Sequence, residues 1–148
     1  MKIAGFSVVY LLIIDFPGDK MGKYGHTALL AVTLLKNETT TDPCLAWEQA
    51  VQKFFPTSSS AQKKGCPRST FLGLCHAGLI VGVKPGGYTR SKKNMTYAEK
   101  ALAMLIQKPH LADDPKTLWP LVTEGHPCQH NQQLDVVISL WQNGMIKA

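Results

Sequence analysis

Acid is what the middle of this 148-residue chain lacks: between residues 61 and 108 there is only Glu99, against nine lysines and arginines. The net charge of +6 therefore arises entirely in that stretch, since residues 1–60 balance and residues 109–148 are slightly acidic. A local excess of this kind excludes a self-neutralised surface and favours an anionic partner: nucleic acid, an acidic protein surface or a phosphorylated small molecule. The plainer reading is that the lysines simply face water.

Cysteine is sparse and scattered. Cys44, Cys66, Cys75 and Cys128 form no C-x-x-C pair, and four in a chain of this length do not make a small secreted disulfide scaffold. Reduced thiols in a cytoplasmic protein are the better reading, and the triplets Asn37-Glu38-Thr39 and Asn94-Met95-Thr96 would matter as glycosylation sites only in a secreted one. No internal repeat, low-complexity tract or recognisable active-site motif is present, so a chain disordered throughout is excluded. One domain with a single core fits the length.

Long apolar runs are missing as well. The longest, Ile3 to Ile14, stops at Asp15, short of the roughly 20 residues that a bilayer-spanning helix needs. The run has the length of a signal-peptide core, but no small-x-small cleavage site follows it. It also reads as an upstream extension with Met21 as the natural start, or as an added β-strand, since Phe6, Val8, Val9, Tyr10, Ile13 and Ile14 suit one. Residues 1–20 are thus an apolar extension, and 21–148 a single helical domain. A chain beginning at Met21 is expected to keep its thermal midpoint within a few degrees. A drop of about 10 °C or more, several kcal/mol for a domain of this size, would place the extension in the core.

What is present from Tyr24 onward is helical patterning. Tyr24, Ala28, Ala31, Val32 and Leu35 form one stripe, and Asn37 with the following threonines breaks it. Asp42-Pro43 and Asp114-Pro115 each pair a capping carboxylate with a proline at the first helical position. Trp47, Ala50, Val51 and Phe54 line the first of these helices; Leu118, Trp119 and Val122 line the second. Pro67 opens a short helix over Phe71 to Cys75, closed by Gly78. Thr96-Tyr97-Ala98-Glu99 has capping-box spacing, and Pro109 stops the helix it begins. A last helix carries Leu134, Val137, Ile138 and Trp141 and ends at Asn143-Gly144. The expected fold is all-α, a compact bundle of five or six short helices with room for one small β-hairpin near residues 79–90. Trp47, Trp119 and Trp141 belong to its core rather than to a pocket.

Chemistry concentrates in the basic stretch. Lys63, Lys64 and Arg68 surround Gly65-Cys66-Pro67, and a helix opening at Pro67 leaves free N–H groups and a positive dipole end near Arg68, Ser69 and Thr70. Tyr88, Arg90, Lys92 and Lys93 interleave an aromatic ring with cations, a pattern suited to phosphate contacts and base stacking. Were residues 71–77 the second helix of a helix-turn-helix, a 79–90 hairpin would stand where a wing does. Cys66 is a weak candidate nucleophile, because cations and a helix start favour thiolate, but no histidine is paired with it by the sequence. His126, Cys128 and His130 resemble metal ligands by type and lack an evident fourth, so neither metal nor cofactor is expected. His130-Asn131 reads more simply as a cap on the last helix.

The run Lys64-Gly65-Cys66-Pro67-Arg68 to Phe71-Leu72-Gly73-Leu74-Cys75 is one of several distinctive marks. The others are Asn94-x-x-Tyr97-Ala98, Leu118-Trp119, and His130-Asn131 to Asp135-Val136-Val137 with Leu140-Trp141. Together they resemble a family of small uncharacterised bacterial proteins, some carried on mobile elements such as integron cassettes. The resemblance covers about residues 21–148 and implies no established activity and no catalytic residue. The expectation is a cytoplasmic, non-enzymatic protein that binds an anionic partner such as nucleic acid through residues 61–108, with no membrane partner. The alternative is a regulatory module meeting an acidic protein, and a Cys66-dependent enzyme trails both.

Overall fold

The computed structural model describes residues 22–126, 130 and 132–147. The apolar extension lies outside them. Six helices make up the bundle: α1 (Gly22–Lys36), α2 (Pro43–Phe54), α3 (Gly65–His76), α4 (Lys92–Gln107), α5 (Pro115–Thr123) and α6 (Gln133–Gln142). A single helical turn at Ser59–Gln62 and a 3-10 turn at Pro109–Asp113 join them. There is no strand among the described residues, and the fold is all-α.

Helix α1 is enclosed by two neighbouring helices. Its predicted stripe widens to a nearly continuous buried surface from Leu29 to Val32, as expected of a helix covered on more than one side. It packs on α2 and α6, where the Ser139 hydroxyl donates to the Gly25 carbonyl at 2.9 Å. Thr27 and Thr33, which would otherwise bring bare hydroxyls toward the interior, donate to the carbonyls of Lys23 and Leu29.

The two acid-proline starts form as their local chemistry requires. Asp42 accepts from the Cys44 N–H at 3.0 Å, and Asp114 from the Thr117 N–H at 3.2 Å. Two other starts differ from expectation. Helix α3 begins at Gly65, not Pro67, because proline is tolerated throughout a first turn whose N–H groups have no partner anyway. Helix α4 begins at Lys92, a turn ahead of the Thr96 box, with Ser91 as N-cap. Met95 explains the extra turn: it lies against Gly73 of α3, and that packing holds the backbone helical ahead of the local signal.

The 79–90 hairpin does not form. Ile80 instead makes an isolated antiparallel bridge with Ile146, with Val81 N–H donating to the Met145 carbonyl and Lys147 N–H to the Leu79 carbonyl, each at 2.9 Å. The β-rich run found a partner near the far end of the chain, so residues 81–91 are irregular and no wing exists. Trp47 is 1% exposed and stacks on Phe71 at 5.3 Å, deep in the core. Trp119 is also buried, whereas Trp141 is half-buried and packs against the core from outside.

Candidate anion-binding site

The basic residues of the sequence divide between the two ends of α3. Lys63 is exposed at the close of the Ser59–Gln62 turn, and Lys64 is the N-cap of α3. Arg68 and Ser69 follow, both half-buried. Thr70 is fully buried, and its hydroxyl donates to the Cys66 carbonyl at 2.8 Å, so that group serves the helix interior. Since α3 starts at Gly65, its open N–H groups belong to Gly65 and Cys66 rather than to Arg68, Ser69 and Thr70.

Tyr88 sits at the opposite end. Its N–H donates to His76 Nδ1 at 3.3 Å, its carbonyl accepts from the Cys44 thiol, and its phenol donates to the Lys84 carbonyl at 2.8 Å. The twelve residues of α3 separate it from Lys64 by about 18 Å along the helix axis. Arg90, Lys92 and Lys93 are exposed beside the start of α4, and the Lys93 ammonium lies over the Tyr97 ring at 5.9 Å. The basic stretch is thus a surface of several stations rather than one cradle.

Lys64 is the residue that reaches inward. Its ammonium donates to the Gln132 side chain and lies over the Tyr24 ring, 5.9 Å from its centre. The Tyr24 phenol in turn donates to the Ala61 carbonyl at 2.7 Å, fixing the ring beside the turn that precedes Lys64. Around this contact the first turns of several helices meet. Asp135 of α6 lies against Gly22 of α1, and Gln133 donates to Asn94 of α4 at 3.3 Å. The starts of α1, α3 and α6 therefore lie near one another, and their positive dipole ends add to the lysine charge, while the first turn of α4, packed on Gly73, is tied to them through Asn94.

His130 and Asp135 complete the cluster. The His130 ring packs on Trp119 at 5.0 Å, Trp119 meets Tyr97 edge-on at 5.3 Å, and His130 Nε2 accepts the Leu134 N–H at 3.1 Å. His130 does cap the last helix. Burial, helped by the Lys64 charge, holds its pKa below the ordinary imidazole value, which keeps it neutral and able to accept that bond. Burial pushes the Asp135 carboxyl up to about 6, and Lys64 partly offsets the rise. A half-buried carboxyl, a lysine and a neutral imidazole in contact with aromatic rings can hold a polar or anionic group.

Cys66, half-buried in the first turn of α3, is not drawn into this cluster by any described contact. The histidine contacts run elsewhere: His76 to Tyr88, His130 to Leu134, and His26 stacked on Phe54. Among the described residues no group of three or more His, Cys, Asp or Glu side chains could hold a metal ion; Cys128 lies outside those residues.

Tyr24, Gln132, Gln133 and Asp135 are the site residues that the basic pattern does not reveal. Asp135 carries a faint signal, a lone acid set between Leu134 and Val136-Val137 on an otherwise apolar helix face. Lys64, Asn94, Tyr97, Trp119, His130 and Asp135, all among the marks of the family resemblance, belong to this one cluster.

The chain belongs to DUF6979, a family of unknown function, whose family model matches residues 21–147. No curated protein and no solved structure matches it.

Proposed function

We propose that the protein is a non-enzymatic binding protein whose basic segment, residues 61–108, engages an anionic partner, and that this partner is nucleic acid. The observation that carries the reading is the exposure of the cations. Lys63, Lys84, Arg90, Lys92, Lys93 and Lys108 all face solvent, and the ion pair that this segment makes among the described residues is Lys100 with Glu124. Exposed charge of one sign at the start of α4 and along the segments that flank α3 and α4 generates a field that attracts a polyanion and releases its counterions on binding. The first turn of α4 carries Lys92 and Lys93 and no acid, an arrangement that opposes the helix dipole until an anion sits there.

A bacterial, cytoplasmic setting, with carriage on a mobile element, is part of the same proposal. It is supported by the family resemblance and by the free thiols of Cys44, Cys66 and Cys75. No helix among the described residues is long and apolar enough to cross a membrane.

Titration with a labelled oligonucleotide at two salt concentrations tests the proposal. Replacing Lys63, Lys64 and Arg68 together by glutamine should weaken binding by about tenfold or more at low salt, and the wild-type affinity should fall steeply as salt rises. Lys64 also ties α3 to Gln132 and Tyr24. The double variant Lys63→Gln/Arg68→Gln, which leaves those contacts in place, therefore separates lost charge from lost structure. Absence of wild-type binding at low ionic strength would reject nucleic acid and turn the search to an acidic protein surface.

A further inference from the structure

An aromatic pair flanked by cations stands where the end of α2 meets the first turn of α1. Phe55, the C-cap of α2, lies against Tyr24 with ring centres 4.6 Å apart and planes 33° apart. The Lys23 ammonium lies over the Phe55 ring at 5.5 Å, and the Lys64 ammonium over the Tyr24 ring at 5.9 Å. Lys23 is outside the basic segment 61–108, and folding alone brings it to this place. We propose that Phe55 is a stacking platform for an unpaired base, that Lys23, Lys63 and Lys64 hold the flanking phosphates, and that the nucleic acid bound is single-stranded. This names the ligand class of the binding function proposed above and rests on that function.

Hydrogen bonds hold the platform together. The Gln62 side chain donates to the Phe55 carbonyl at 2.6 Å, and the Tyr24 phenol to the Ala61 carbonyl at 2.7 Å. The Ser59–Gln62 turn is thus pinned to both aromatic residues, and Lys63 and Lys64 follow it directly. From Gln62 to Lys64 the chain spans about 7 Å at most, which keeps both cations beside the rings. Gly65 comes next; it is exposed, and a Cβ built there would meet nothing within 4 Å. The backbone at the start of α3 is therefore open to a phosphate oxygen. None of the three lysines forms an ion pair among the described residues.

An exchange of partners over Phe55 favours the base. A cation over an exposed ring contributes a factor of about two to five, whereas a base stacked on an aromatic side chain contributes about fivefold to a hundredfold. A base that displaces Lys23 from the ring gains more than the contact it replaces, and the released ammonium is left beside the adjoining phosphate. Phe55 is only half-buried, and Lys23 is exposed. Tyr88, the aromatic residue that the sequence sets among cations, is instead closed on its own loop. Its phenol donates to the Lys84 carbonyl, and its ring lies 3.0 Å from where a Gly86 Cβ would stand. In a duplex each base is already stacked between its neighbours, so only an unpaired base can use Phe55.

Titrations of the whole chain with a labelled oligothymidylate, and with a duplex of equal length, test the proposal. The single strand should bind at least fivefold more tightly at the same salt, although the duplex carries the denser charge. Phe55→Leu keeps an apolar side chain against Tyr24 but removes the stacking face. It should lower single-strand affinity fivefold or more and leave duplex affinity within about twofold. Lys23→Gln changes an exposed side chain only, so it remains decisive should Phe55→Leu fold poorly. It should weaken single-strand binding about twofold to fivefold and reduce the salt slope by about 0.7, the value of one phosphate contact on a single strand. A duplex bound as tightly as the single strand would overturn the platform while leaving nucleic-acid binding in place. So would a folded Phe55→Leu of unchanged affinity, or a Lys23→Gln slope equal to that of wild type. Failure of the wild type to bind either probe at low ionic strength would instead reject nucleic-acid binding itself, and the platform with it.

Discussion

Replacing Trp47 by alanine should destabilise the protein by ~3–5 kcal/mol, the range found when a large buried aromatic is truncated in a close-packed core. The side chain is 1% exposed and stacked on Phe71 of α3, and its neighbours on the same helix face, Ala50 and Val51, are too small to fill the space. Its indole Nε1 is buried without a hydrogen-bond partner among the described residues. Truncation therefore forfeits packing alone, and Trp47→Phe, which keeps most of the volume and removes an unsatisfied donor, should recover a large part of the loss. Trp141, half-buried at the edge of the core, should cost less, about 1–3 kcal/mol on area grounds. Urea denaturation of the three variants measures all of these. A near-neutral Trp47→Ala would remove that residue from the core and return it to the list of binding-site candidates.

The elements legible in the sequence are those whose instructions are local. Asp42 and Asp114 mark their helices because cap, proline and first free N–H all lie within four residues. The same reasoning misplaces the start of α4. Thr96 and Glu99 have capping-box spacing, yet the contact of Met95 with Gly73, 22 residues back in the chain, sets the helix going a turn earlier. The residues from Leu79 to Val83 carry a genuine extended signal, but their partner is Ile146 and not the stretch after Pro85-Gly86-Gly87. A hairpin rule looks only next door.

The site shows the same division between local and distant. Lys64 is visible as a cation at a helix start. Its engagement is invisible, because Tyr24 lies 40 residues before it and Gln132 lies 68 residues after it. Asp135 is harder still, since nothing in Leu134-Asp135-Val136 says that its carboxyl will be enclosed by α1 and shifted upward. Burial is a tertiary property. His130 is the instructive middle case: its capping role was readable from its position before α6, whereas its lowered pKa needed Trp119 and Lys64 to be in place.

Gly73 should tolerate no branched side chain. A Cβ built there would lie 2.9 Å from both the Cα and the Cβ of Met95, closer than real Cβ contacts come. The Met95 Cα is backbone, so no rotamer change relieves the overlap; α4 itself must move away from α3. Gly73→Ala sets two effects against each other, a helix-propensity gain of ~1 kcal/mol and overpacking of ~1–3 kcal/mol. It should come out destabilising by about 1 kcal/mol. Gly73→Val adds further bulk at the same contact and a stiff χ1, and should lose ~3 kcal/mol or more. The displacement would be felt at the candidate site as well, because the first turn of α4 carries Lys92, Lys93 and Asn94, the last of them bonded to Gln133. Gly73→Val is therefore expected to weaken oligonucleotide binding although it removes no charge. Thermal unfolding of the two variants, with glycine as reference, decides the point: a stabilised Gly73→Ala would mean that α3 and α4 can separate freely and that the close approach is not a constraint of the fold.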